Sequence, residues 1–292
     1  MSSSHSDSRK TVLITGCSAG GIGHALALEF HAHGLRVFAT SRALASMQAL
    51  NDAGIETLAL DVTDAEAVRD VCKRISVLTG GRLDILVNNA GLAYPVAVTD
   101  MDMDAVRGLF EVNLFAPMFV TQVFAPLLVA SGDARVVQTG SISGILPLPF
   151  SAAYNCSKAA LHALSNTMRV ELAPFGIKVI NVCTGGVESN ISRPYTMPDD
   201  SLYKSMNDLY QERRVSVSQE AALPAALYAQ KVVAETLRPE PRAWMWAGKN
   251  AFFIWFMDTF FSKTTLDWLM SRKFGMDIFA GRLTAAHRVG ES

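Results

Sequence analysis

The run Thr11-Val12-Leu13-Ile14 followed by Thr15-Gly16-Cys17-Ser18-Ala19-Gly20-Gly21-Ile22-Gly23 constrains the fold of this chain more than any other stretch. This short apolar run reads as a buried parallel strand, and the apolar periodic segment from His24 to about His33 reads as a helix. A glycine turn between them leaves free amides at the helix N-terminus, which favour an anionic pyrophosphate, and lets the backbone approach it closely. The alternation then repeats. Arg36–Ser41, Thr57–Leu60, Leu83–Val87, Arg135–Thr139 and Lys178–Cys183 read as further strands, with a short last one within Arg242–Gly248. Between them, helices are expected from a Thr63 cap to about Leu78, over Met103–Val129, up to about Leu172 and over Gln219–Leu237. The expectation is an α/β fold of the Rossmann type, a doubly wound parallel sheet.

A chain of 292 residues, 50% of them hydrophobic, fills one large domain, here residues 11–248, with a C-terminal helical and aromatic extension over 249–292. The first ten residues are polar, without the apolar stretch of a secretory signal, and read as a disordered lead. A net charge of -1 with no long run of one sign excludes a nucleic-acid surface. Cys17, Cys72, Cys156 and Cys183 are scattered, so neither a metal site nor a disulfide framework is expected; reduced thiols suit a cytoplasmic protein.

Tyr154 and Lys158 stand four apart in Tyr154-Asn155-Cys156-Ser157-Lys158, on one face of a helix. An ammonium there favours the phenolate and is expected to lower the Tyr154 pKa toward the range of a general acid. Ser141 lies thirteen residues upstream in Gln138-Thr139-Gly140-Ser141-Ile142-Ser143-Gly144, and Asn88-Asn89-Ala90-Gly91 follows the fourth strand. With the glycine turn, these motifs resemble the short-chain dehydrogenase/reductase family from about residue 10 to 190. The chain departs from the family pattern in having four residues rather than three between Gly16 and Gly21, and Gly185 where proline is usual.

The resemblance implies carbonyl reduction or alcohol oxidation with Asn113, Ser141, Tyr154 and Lys158 as the catalytic set. Tyr154 would move the proton, Ser141, favoured over the alternative Ser143 by its thirteen-residue offset to Tyr154, would polarise the carbonyl, and Lys158 would bond the nicotinamide ribose. Asn113 would open a helix kink and hold a water leading the lysine to solvent. It further implies a cofactor held by Gly16, Ser18, Gly21, Ile22, Gly23, Asp61, Asn88, Ala90, Tyr154, Lys158, Val187 and Ser189. Ser41 and Arg42 end the second strand without an acidic residue, which points to NADP(H), since Arg42 suits a 2′-phosphate. Homo-oligomers are common in the family and are expected here.

Residues 190–218 read as a polar substrate lid, in which Arg193, Lys204, Arg213 and Arg214 either meet a substrate phosphate or form a solvated face. The aromatic run of eleven residues, Ala251 to Phe261, is too short to span a bilayer, which takes about 20 residues. Lys249, Lys263, Arg272 and Lys273 flank it. It lies in a membrane interface, covers the substrate or meets another subunit. Thr184-Gly185-Gly186-Val187, Arg193-Pro194, Ser201-Leu202-Tyr203 and this run resemble the fungal NADPH-dependent acyl-dihydroxyacetone-phosphate reductases, implying a lipid ketone substrate and peripheral association with endoplasmic reticulum or lipid droplets. The alternative is a polycyclic or terpenoid ketone or alcohol of fungal secondary metabolism. A cofactor sensor without chemistry is a third reading, disfavoured because all four catalytic positions are filled.

Overall fold

A computed structural model describes residues 8–191, 195–215 and 222–290. Seven strands form one parallel sheet: β1 (Thr11–Thr15), β2 (Arg36–Ser41), β3 (Glu56–Ala59), β4 (Ile85–Asn88), β5 (Ala134–Thr139), β6 (Ile177–Thr184) and β7 (Trp244–Ala247), in the order β3-β2-β1-β4-β5-β6-β7. The winding reverses between β1 and β4, and this is where an open α/β sheet leaves a crevice at its carboxyl edge. This is the expected doubly wound architecture, a single domain with helices added after β7.

Alternation along the strands divides the core. Val12 and Ile14 point to one face with Phe30, Val37, Ile180 and Tyr228, beneath α1 (Ile22–Ala32), α2 (Gln48–Asp52) and α8 (Ala225–Thr236). Leu13 points to the other with Phe38, Leu86, Phe124, Val136 and Met168, beneath α3 (Ala65–Thr79), α5 (Ala116–Ser131) and α6 (Ala152–Leu172). The expected helix from Met103 is continuous only in its path: α4 (Met103–Phe110) passes through one π-turn, Glu111–Phe115, into α5. Met103–Ser131 is the one stretch among the described residues long and apolar enough to cross a bilayer, yet its Leu109, Val120, Phe124 and Leu128 are buried against the sheet.

Three local expectations are corrected. Asp64, not Thr63, caps α3, its carboxylate accepting from the Glu66 and Ala67 amides, while the Thr63 hydroxyl donates to Asp61. The helix expected over Gln219–Leu237 begins at Ala225, after Pro224; residues 219–221 lie outside the described residues, as do Arg193 and Pro194. The polar segment before it is not a bare loop. It folds into α7 (Asn207–Tyr210) between two short turns and buries Met197, Met206, Leu209 and Tyr210 against Phe150 and Phe279. The chain closes with α9 (Ala251–Phe260), α10 (Lys263–Phe274) and α11 (Met276–Gly290).

Candidate active site

The glycine turn opens at the carboxyl end of β1. Gly16 is left-handed, with φ +74°, and a Cβ on Gly23 would fall 2.4 Å from the Gly16 carbonyl, so turn and helix meet without room for side chains. No side chain caps α1, and the imidazole Nδ1 of His24 in its first turn is buried without a partner. That cradle fits a phosphate group. Ser18, Ser46 and Ser41 form a hydroxyl chain beside it, Ser46 donating to Ser18 at 3.2 Å and lying 2.8 Å from Ser41. Arg42 is exposed next to them, and its charge helps hold the Asp61 carboxyl below its ordinary range, behind the larger effect of the Thr63 hydrogen bonds.

The motif after β4 splits its two asparagines. The Asn88 side chain is buried and donates to Thr121 Oγ1 at 3.0 Å, so it faces the core and offers a ligand only backbone. Asn89 instead supports the glycine turn, its amide nitrogen donating to the Thr15 and Gly16 carbonyls at 2.9 and 3.0 Å. The backbone amides of Asn89 and Ala90 both donate to Thr15 Oγ1 at 3.0 Å, locking this loop onto β1. Neither Thr15 nor Asn89 had a signal in the sequence beyond membership of its motif.

Asn113 sits in the π-turn, wholly buried. Its carboxamide accepts from the Leu92 amide at 2.8 Å and donates to the Leu92 carbonyl and to Ser157 Oγ, each at 3.0 Å. One extra residue in that turn is what frees a mid-helix asparagine to serve the neighbouring loop. A Cβ on Gly91 would lie 3.4 Å from Asn113 Oδ1 and 3.7 Å from Lys158 Nζ, so these groups converge around a residue without a side chain.

Lys158, on α6, is 4% exposed; its ammonium donates to the Thr139 carbonyl at 2.9 Å, and burial pushes its pKa down to about 8. It stands 5.8 Å from the centroid of the Tyr154 ring. The expected depression of the Tyr154 phenol does not result. Burial pushes that pKa up, and the groups pulling it back are the Ser141 hydroxyl and the Arg214 guanidinium, not Lys158.

Ser141 ends β5 in a short loop wrapped around a histidine that no spacing rule singled out. The Ser141 amide donates to His162 Nε2 at 3.3 Å, and Ser141 Oγ accepts from the Ser143 amide at 3.1 Å. A Cβ on Gly140 would fall 2.7 Å from Nε2, and one on Gly144 2.7 Å from Cε1 of the same ring. His162 is 5% exposed, packed edge-on to Trp244, and burial together with the Lys158 charge lowers its pKa to about 4. A neutral ring with its proton on Nδ1 leaves Nε2 free to accept.

After β6 the backbone of Gly186 bridges Lys249 in both directions, at 3.0 and 2.9 Å, and Val187 pairs with Leu223. A Cβ on Gly185 would lie 2.1 Å from the Lys249 carbonyl, which explains the glycine in place of proline. Ser189 is partly exposed, and Asn190 next to it donates to the Ala19 carbonyl at 3.1 Å, over the glycine turn. Of the basic lid residues, Lys204 pairs with Asp199 and Arg213 donates to the Arg272 carbonyl, whereas Arg214 is half-buried and donates to Ser151 Oγ at 2.8 Å. No group of metal-ligating side chains occurs among the described residues.

A family model described as short chain dehydrogenase matches residues 10–199. The short-chain dehydrogenase srdE of Neurospora crassa is 41% identical, over 96% of this chain and 96% of its own length. An NADPH-dependent 1-acyldihydroxyacetone phosphate reductase of Schizosaccharomyces pombe is 42% identical over 71% of this chain and 72% of its own length. A solved short-chain dehydrogenase from Streptomyces avermitilis matches with a TM-score of 0.75 at 27% identity, covering 98% of both chains.

Proposed function

We propose, from the premise that this chain belongs to the short-chain dehydrogenase family, that it reduces a lipid ketone, an acyl-dihydroxyacetone phosphate or close analogue, to its secondary alcohol with NADPH. Membership makes the protein an oxidoreductase of C=O and CH–OH groups that binds a nicotinamide cofactor. The observation that carries the chemistry is the convergence of Ser141, Lys158 and the Asn113 loop around Tyr154, at the edge where the crevice opens.

The nicotinamide supplies the hydride when bound. Tyr154 gives its phenolic proton to the carbonyl oxygen, and Ser141 donates a second hydrogen bond to it, so the developing alkoxide meets two donors. A phenol whose pKa is raised by burial is held in the protonated form that reduction requires. Lys158 keeps two ammonium protons beyond the one given to Thr139, available to the cofactor ribose and to a proton path past Gly91 and Asn113. The cradle of Gly16, Gly21, Ile22 and Gly23 takes the pyrophosphate. Arg42 and the Ser18, Ser41 and Ser46 hydroxyls take the 2′-phosphate, in keeping with the NADPH dependence of the fission-yeast relative.

The lipid part of the reading rests on that same relative and on the cleft rim. Phe252, Phe253, Phe256, Phe260, Phe261 and Trp268 are exposed on α9, α10 and the link between them, an apolar face suited to an acyl chain or to the surface of endoplasmic reticulum or lipid droplets. The deciding experiment follows NADPH consumption by purified protein on an acyl-dihydroxyacetone phosphate and on a panel of polycyclic and terpenoid ketones. Preference for the lipid is expected; turnover of ring ketones with silence on the lipid moves the enzyme to secondary metabolism.

A further inference from the structure

We propose that Arg214 is the seat of an oxyanion carried by the substrate beside its reacting carbonyl. In the lipid-ketone reading, on which this inference rests, that group is the phosphate.

The guanidinium is half-buried, and its one hydrogen bond among the described residues goes to Ser151. Its Nε is buried with no partner, and no carboxylate among the described residues lies within ion-pair distance. A buried cation with neither counter-ion nor saturated donors is costly, and proteins keep one where a ligand completes it. Arginine offers five donors in a fork that matches phosphate and carboxylate oxygens.

The place is equally unfavourable for a cation without a partner. Ser151 is the N-cap of α6, where a serine hydroxyl normally accepts from the first-turn amides. Here it makes no such bond and accepts from Arg214 instead. The positive end of a helix of 21 residues is therefore uncapped, and the cation set against it is of the wrong sign for the helix dipole. A substrate oxyanion satisfies both the open amides and the guanidinium. Phe150, just before the cap, is held at φ +57° between the rings of Tyr203 and Tyr210, so this corner is fixed by packing. Ser151 is three residues before Tyr154 on the same helix, and the charge of Arg214 reaches the Tyr154 phenol. A substrate that carries its phosphate ester on the carbon next to the ketone presents both groups to this corner together, the oxyanion to Arg214 and the carbonyl to Tyr154.

The test compares 1-acyl-dihydroxyacetone phosphate with the unphosphorylated 1-acyl-dihydroxyacetone, using full-length protein and NADPH. In the unaltered enzyme kcat/KM is expected to favour the phosphate ester by about 30-fold, the scale of one or two charge-assisted hydrogen bonds. Arg214→Gln compresses that ratio to about threefold, mainly through KM, and Arg214→Lys restores part of it. NADPH affinity and thermal unfolding, read on the same samples, report intact folding. Equal proportional losses on both substrates overturn the proposal and leave Arg214 as a tuner of Tyr154; so does an unchanged ratio in Arg214→Gln. Should neither lipid be reduced, the lipid reading falls, and the seat is then read with a turned-over ring ketone and glycerol 3-phosphate as inhibitor. Inhibition competitive with the ketone and lost in Arg214→Gln upholds an oxyanion seat, and its absence overturns one.

Discussion

The cleft has two walls of different construction. The wall made by β5, α6 and the Asn113 turn is buried and closely packed: Ser141, Lys158, Asn113 and His162 are each under 10% exposed, and Gly140 and Gly144 admit no side chain against the imidazole. The wall made by residues 195–215 with α9 and α10 carries its own small core, an exposed aromatic face and a guanidinium with unused donors. The difference assigns tasks. In the proposed reaction the geometry, which tolerates little displacement, belongs to the closely packed wall, and substrate choice to the wall whose exposed side chains have room to change.

The largest effect expected is that of Tyr154→Phe, which lowers kcat by about 10³-fold while NADPH affinity stays within about twofold; retained turnover removes Tyr154 from its role. Next comes Lys158→Met, measured as stability against pH. The folded pKa of about 8 lies below the ordinary 10.5, so between these values the unfolded chain binds more protons and stability rises with pH. Replacing the lysine removes a cost that is full below about pH 8. The variant gains roughly 1–3 kcal/mol near neutrality, with the advantage fading toward pH 10.5, while turnover is lost. An advantage independent of pH shows that burial of the charge is not its source.

His162→Met is expected to lower kcat about tenfold, the worth of one hydrogen bond holding the Ser141 amide. His162→Gln, whose side-chain carbonyl oxygen takes the place of Nε2, recovers most of that. Equal losses in the two variants make the ring a matter of volume alone, and an unaffected Ser141→Ala removes the reason for positioning that amide. On the other wall, Phe252→Ser combined with Phe260→Ser shifts unfolding in urea by less than about 0.5 kcal/mol, since both rings stand in solvent. A loss of several kcal/mol there erases the contrast between the walls.

The contrast also marks what the sequence made legible. Every strand of the sheet was readable to within two residues, because a buried parallel strand is a contiguous apolar run. The motif residues were readable because their spacing along one element fixes their face. What escaped depends on contacts between elements. His162 looks like any polar residue on α6 until the Ser141 loop is folded around it. Asn88 and Asn89 are identical in sequence, and only the pleat decides which one meets the core and which the glycine turn. The lid reads as a polar loop because Met197, Met206, Leu209 and Tyr210 share no period, and Phe279, which covers them, comes from α11. The direction of the Tyr154 shift escapes the spacing because burial, which raises the phenol, is invisible there.

The bridge between Gly186 and Lys249 makes the chain after β7 behave like a cassette on a coupling. One residue from each side, Gly186 and Lys249, and a pair of glycines, Gly185 and Gly248 with φ +99°, form the joint through which the aromatic helices are registered on the sheet. A chimera that exchanges residues 249–290 with those of a relative keeps its alignment to Tyr154 only when the host retains both glycines. Proline or alanine at position 185 of the host drives a side chain into the Lys249 carbonyl and swings the transplanted wall away from the reacting centre.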